Sequence, residues 1–230
     1  MPAKRDKNLF KSAKAKVSQP MYKALKSLVH KEVKKDVETK QHTDGFTYTA
    51  CYGAIAGTIT DHITDIAQGV TDTTRVGDEL TLKHIQVRGT VFNGATNNTN
   101  DIRIIIFQYK NSDNTPIMDN LLQNSIISGA TRSAYSARAQ DFMNEYVVLF
   151  DKVWHTEIGI PGATNTGTSG QYSHYVNFTV PLKYAKKKIQ YEAATNAAVN
   201  GIYVMVIGSQ ASGASNPTCA LQWAVSYTDS

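Results

Sequence analysis

From Glu79 onward the chain alternates apolar and polar residues, which is the period of a strand with one buried face. Leu80 and Leu82 share one side; beyond Lys83-His84 the apolar set moves to Ile85, Val87 and Val91. An inward face survives that change of parity only if one residue is added, so the spacing predicts a β-bulge near Lys83. Gly77-Asp78 opens this strand as a turn signal and Asn93-Gly94 closes it.

The same reading predicts eight strands, near residues 46–53, 79–92, 101–110, 145–154, 174–182, 189–194, 201–209 and 219–228. Three of them, 101–110, 146–154 and 202–207, are apolar on both faces. The connections 54–78 and 111–144 are long, polar and poor in large anchors, so they read as exterior and contact surface. Residues 124–138 read as removable without unfolding the strands. A Gly/Thr/Asn stretch, Gly159 to Gly170, reads as a surface loop.

Upstream the pattern differs. Met1 to Lys16 holds too few large apolar residues to fold alone. From Ser18, with Pro20 in a permitted first-turn position, Tyr22, Leu25, Val29, Val33 and Val37 recur at three- and four-residue steps. This spacing predicts an amphipathic basic helix ending near Lys40.

Eight antiparallel strands with long, uneven connections suit a two-sheet jelly roll better than a meander barrel, whose turns are short and even. The expected fold is all-β: an eight-stranded antiparallel jelly-roll sandwich over residues 44–230, with a basic, partly helical N-terminal arm over 1–43. Lettered B to I in order, such strands form sheets B-I-D-G and C-H-E-F. The two-sided strands would be D, E and H, three of the four central positions. Both long connections would then lie at one end of the sandwich.

Charge sharpens the division. Residues 1–40 carry twelve Lys or Arg against four Asp or Glu, a net of +8. The whole chain is +5, so residues 41–230 hold twelve cations against fifteen acids, or −3. A basic arm joined to a mildly acidic globule points to a polyanionic partner. The hydrophobic content of 41% supports a real core. Cys51 and Cys219 are far apart in sequence and read as reduced core thiols, or as a pair if the first and last strands are neighbours. No signal-peptide pattern and no apolar run of membrane-spanning length are present, so the expectation is a soluble product of a reducing compartment.

Candidate chemistry is sparse. The six histidines make no His-x-His pair. Asp61, His62 and Asp65 could bind a cation from a polar loop or simply be solvated. Asp141 and Glu145 stand at helical spacing, which suits a hydrated loop end better than an acid–base pair. Gly-x-Ser-x-Gly, Gly-x-Gly-x-x-Gly and P-loop motifs are absent. The expectation is a protein that is not an enzyme and needs no cofactor.

Several short segments resemble a known family. Gln68-Gly69, then Arg75-Val76-Gly77-Asp78 leading into Leu80-Thr81-Leu82-Lys83-His84-Ile85, resembles the start of the C strand in small single-jelly-roll capsid proteins. Ile102-Arg103-Ile104-Ile105-Ile106-Phe107 resembles their D strand. Phe150-Asp151-Lys152-Val153-Trp154 is similar to the E strand of coat proteins from circular, Rep-encoding single-stranded DNA (CRESS-DNA) viruses. Tyr175-Val176-Asn177-Phe178-Thr179-Val180-Pro181-Leu182 is similar to the F strand. The arm departs from the circovirus pattern because it is Lys-rich, with Arg5 its only arginine.

The resemblance implies a virion protein forming a T=1 icosahedral shell of about sixty identical subunits. The arm would point inward onto single-stranded nucleic acid, DNA rather than RNA, with assembly in the host nucleus possible. The end of the sandwich with the long connections would gather around the five-fold axis. The nucleic-acid-binding set is then Lys4, Arg5, Lys7, Lys11, Lys14, Lys16, Lys23, Lys26, Lys31, Lys34 and Lys35, which can neutralise phosphate without reading bases. Lys83, Arg88, Arg103 and Lys110 either extend that basic surface or are solvated or paired. Rival readings are a jelly-roll binding module, lectin-like or a trimeric ligand, and an RNA-packaging satellite-type coat protein. The binding module leaves the +8 arm without a purpose.

Overall fold

Two antiparallel sheets carry the architecture of this computed structural model, which describes residues 19–35, 38–53, 59–93, 99–111, 118–124, 132–141, 143–157, 173–192, 198–209 and 216–229. The chain divides into two units, Met1–Glu38 and Thr39–Ser230. In the first, α1 spans Gln19–Lys35. Its apolar residues Met21, Tyr22, Leu25, Leu28 and Val29 are all exposed. The helix stops five residues short of Lys40.

Among its described residues the second unit holds ten strands: β1 Lys40–Ala50, β2 Ile59–His62, β3 Glu79–Phe92, β4 Thr99–Tyr109, β5 Tyr146–Glu157, β6 Ser173–Thr179, β7 Lys188–Tyr191, β8 Ala198–Val199, β9 Gly201–Gly208 and β10 Thr218–Asp229. A short helix, α2 (Met118–Leu121), lies in the β4–β5 connection. One sheet runs β1-β10-β3-β7-β8 with β6 also on β3; the other runs β2-β9-β4-β5.

Strand β3 is the axis of the first sheet. It pairs with β10 along one side, and with β6 and β7 in succession along the other. The register steps from Ser226↔His84 to Tyr227↔Leu82, so Lys83 is the extra residue. The expected bulge stands where the parity changes, and Leu80, Leu82, Ile85, Val87 and Val91 all point inward and are fully buried.

The jelly roll is present, but its letters differ from the expected ones. Ile59–His62 forms a strand inside the connection 54–78, too short for alternation to reveal. With it counted as C, the sheets read B-I-D-G for β1, β10, β3 and β6/β7, and C-H-E-F for β2, β9, β4 and β5. The strand resembling C is therefore D, and those resembling D, E and F are E, F and G. Of the two-sided strands, β4 and β9 are central but β5 is an edge. β1 also begins earlier than its apolar residues suggested. Lys40 reaches back to Asp229 (Nζ–Oδ2 2.9 Å) and donates to the Thr74 carbonyl (3.0 Å), so it belongs to the globule.

The two-sided strands face two cores. Ile102, Ile104, Ile106, Ile202, Val204 and Val206 pack between the sheets with Trp223, Val225 and the β3 residues. On the opposite face, Ile105, Phe107, Tyr109, Met205 and Ile207 pack under Leu121 and Leu122 of the β4–β5 connection. Residues 132–139 complete this cover: the Ala134 amide donates to the Gly208 carbonyl (3.0 Å) and the Ala139 amide to that of Leu121 (2.9 Å). This corrects the reading of 111–144 as exterior surface alone.

The end of β2 and the end of β4 both lie beside the start of β9. Hence residues 63–78 and 110–145 leave from one end of the sandwich, as expected of the two long connections. The connections 51–58, 93–98, 158–172 and 209–217 leave from the other. The end of β4 and the start of β2 thus lie at opposite ends, so only the part of 54–78 beyond His62 leaves from the same end as the β4–β5 connection. At the first end Arg75, fully buried, lies over the Tyr191 ring (4.1 Å to the centroid). It donates to the carbonyls of Ile66 (3.1 Å) and Gly77 (2.6 Å), which fixes the loop that feeds β3.

Of the stretch 124–138, residues 125–131 lie outside the described residues, while 132–138 are bonded to the sheet. Replacing 132–138 with a Gly/Ser linker removes both Arg138 bonds to Asp151 and frees the backbone that holds the Arg103 guanidinium through the carbonyls of residues 134 and 136. It should cost about 3 kcal/mol, which lowers the melting temperature by roughly 6–12 °C. A calorimetric scan that showed no shift would contradict the packing described.

Candidate nucleic-acid interface

The cations predicted to meet nucleic acid fall into three groups. Lys4, Arg5, Lys7, Lys11, Lys14 and Lys16 lie outside the described residues. Lys23 and Lys26 are exposed on α1, opposite the side that carries Leu25 and Leu28. Lys31, Lys34 and Lys35 occupy the last turns of the same helix. With Lys40 assigned to the globule, residues 1–39 hold eleven cations against four acids, a net of +7, and 40–230 a net of −2.

The four candidates on the globule separate. Lys83 stands exposed on the β3 bulge, and Arg88 is exposed on the outer face of the same strand. Lys110 donates to the Asn144 carbonyl (2.5 Å) at the entry of β5. Arg103 is not available to phosphate. Its guanidinium is nearly buried and grips Asp151 in a fork (Nε–Oδ1 2.7 Å, Nη2–Oδ2 2.7 Å), with Nη1 on the carbonyls of Ala134 (3.3 Å) and Ser136 (2.5 Å). Arg138 adds two bonds to the same carboxylate. Burial alone would raise the Asp151 carboxyl, but the hydrogen bonds and charges of Arg103 and Arg138 outweigh it and hold the group below its ordinary range. This cluster fastens the β4–β5 connection to its sheet; nothing in β4's apolar sequence announces it.

The other polar clusters also have structural partners. Asp101 takes hydrogen bonds from Tyr135 Oη and His155 Nδ1. His62 is stacked on Tyr203 (4.3 Å between centroids) and its Nε2 meets Thr64 Oγ1 at 2.9 Å. Burial pushes its imidazole down to about 4. Asp61 accepts the backbone amide of His62 (2.8 Å). Among the described residues no three His, Cys, Asp or Glu side chains are placed to hold a metal ion, the Asp61-His62-Asp65 set included. Cys51 and Cys219 are free, buried thiols; burial raises Cys51 to about 12 and pushes Cys219 higher still.

The two outer faces of the sandwich differ. One, on β9-β4-β5, is roofed by the β4–β5 connection. On the other, β1, β10, β3 and β6 turn polar side chains outward in register: Gln222 beside Arg88, Arg88 beside Asn177, and Thr90 beside Tyr175. These amides and tyrosines are the polar half of ordinary strand alternation, and sequence reasoning passed over them for that reason.

No family model matches the chain, and no curated protein matches its sequence. Among solved structures it is similar to Desmodium yellow mottle tymovirus at 10% identity, with 84% of this chain and 87% of that chain covered and a TM-score of 0.42. It is similar to turnip yellow mosaic virus at 100 K at 7% identity, covering 84% and 93% with a TM-score of 0.37. For the Gx strain of infectious bursal disease virus the values are 8% identity, 82% and 32% coverage, and 0.28. The strand order of the two sheets defines the fold independently of these likenesses.

Two outcomes test the site's electrostatics. His62 titrates lower in the folded chain than its unfolded value near 6.5, so its contribution is full above about pH 6.5 and is lost as pH falls toward 4. His62→Gln should flatten that part of the stability profile, measured by urea unfolding; an unchanged slope would refute the assignment. Asp151→Asn leaves Arg103 buried without an anion and should cost about 3–5 kcal/mol. A loss under 1 kcal/mol in the same measurement would show that the carboxylate is dispensable.

Proposed function

We propose that the chain is the coat protein of a small icosahedral virus, a subunit that assembles with copies of itself into a shell and packages a single-stranded genome with its lysine-rich arm. One combination carries the reading: a jelly roll in B-I-D-G and C-H-E-F order, preceded by a segment with eleven cations in 39 residues. A sandwich that served as a free binding module would have no use for that segment. Lysines need only a phosphate nearby, so they suit a long cargo of arbitrary sequence. The globule, at −2, adds no net positive charge to that attraction.

The finer proposals rest on the short segments similar to CRESS-DNA coat proteins. They give a DNA cargo and a shell of about sixty subunits. Nuclease treatment of extracted cargo decides the first: loss to DNase and survival against RNase supports DNA, and the reverse makes the chain an RNA-packaging coat protein.

The arm itself is tested by salt. If about half of its eleven cations touch phosphate, single-strand binding should fall with a slope near −4 in log K against log salt. A fourfold rise in salt then weakens binding by about 2.4 decades. A chain lacking residues 1–39 should show a much flatter slope with unrelated oligonucleotides while its melting temperature stays put. Equal slopes with and without the arm would refute the packaging role.

A further inference from the structure

The open outer face of the β1-β10-β3-β6 sheet has a composition that solvation alone does not require. From His84 to Phe92 of β3, and at the paired positions of β6 and β10, no outward residue is Asp or Glu. The globule nevertheless carries fifteen of these acids. Glu79, farther along β3, is held by Lys188 Nζ at 2.5 Å. In place of carboxylates the face presents amides, threonines, Arg88 and two tyrosines. Tyr48 and Tyr175 are 70% and 66% exposed. The Tyr48 ring stands edge-on to Phe92 (5.1 Å between centroids), which holds it upright on the sheet.

Between the tyrosines lies a groove of about 420 Å³ that also takes in Arg88, Thr90 and Gln222. A second groove of about 280 Å³ continues from Arg88 past Gln86 to Gln41 and Thr43. Arg88 is common to both.

We propose that this face is a second binding site for single-stranded nucleic acid: bases stack on Tyr48 and Tyr175, and Arg88 meets the phosphate between them. Exposed aromatic rings beside a cation on a stretch of sheet without outward carboxylates are what an unpaired strand requires, because every base has a π-face and every linkage a negative charge. The flanking amides can bond base edges without selecting one sequence. A second copy of the chain would call instead for an exposed apolar centre; Phe92 is partly covered by Tyr48, and Phe46 and Leu221, which also line the groove, pack into the core. The inference builds on the packaging role but uses different side chains and a different force, stacking in place of long-range charge.

The test titrates full-length protein with oligothymidylate and oligouridylate at low and high salt. Tyr48→Ala and Tyr175→Ala should each weaken binding about tenfold at both salt concentrations, leaving the salt slope unchanged. Tyr48→Phe and Tyr175→Phe keep the ring and should bind as the parent does. Arg88→Ala should reduce the slope by about 0.7, one phosphate contact. All these side chains are exposed, so the melting temperature should not move, and it is measured alongside. Unchanged affinity in the alanine variants overturns the proposal, as does an equal loss in the phenylalanine variants. Intact affinity with failed assembly would make the face a contact between subunits, which also overturns it. A flat salt slope in the parent chain would refute the arm, while the tyrosine effect at high salt still decides this site.

Discussion

One inserted residue holds the sandwich together. Without the bulge at Lys83, β3 would turn either Leu80 and Leu82 or Ile85, Val87 and Val91 toward water. With it, a 14-residue strand keeps one buried face along its whole length and can serve three partners. The last strand, β10, copies that length on one side. The other side is shared by β6 and β7, which together fill the place of a single strand in the roll.

The second sheet solves a different problem. Its central strands are apolar on both sides, so it needs cover outside as well as inside. The chain supplies this from the β4–β5 connection, pinned by a carboxylate between two guanidinium groups. Burying Arg103 is tolerable because its donors meet Asp151 and two carbonyls, with Asp151 further bonded by Arg138. One outer face is thus closed by packing, and the other is left open and free of carboxylates along its middle. That asymmetry separates a structural side of the domain from a side able to meet a partner.

What could be read from the sequence followed from repetition. The parity change in β3 spans enough residues to show, and so does the switch from helical spacing to alternation. Ile59–His62 is too short to display any period, and missing it moved the letters of the next four strands by one; β6 and β7 then share the letter G, so β9 and β10 keep H and I. Lys40, His42 and Asp44 hid the start of β1 because an edge strand can be polar and still pair. The two-sided strands did signal a second buried face, but they were read as marking central positions. The roof itself depends on Leu121 and Leu122 in a polar stretch, and on Arg103 meeting a residue 48 positions away. The arm's charge was plain from composition, but composition counted Lys40 with it, and only its contact with Asp229 assigns that residue to the globule.

The central claim is that this sandwich builds a closed shell. Light scattering together with electron microscopy of the purified full-length chain tests it most directly. The account predicts uniform, roughly spherical particles many times the mass of one chain, enclosing single-stranded nucleic acid that resists added nuclease. A monomer or a discrete trimer at every salt and protein concentration, with no protected nucleic acid, would contradict it.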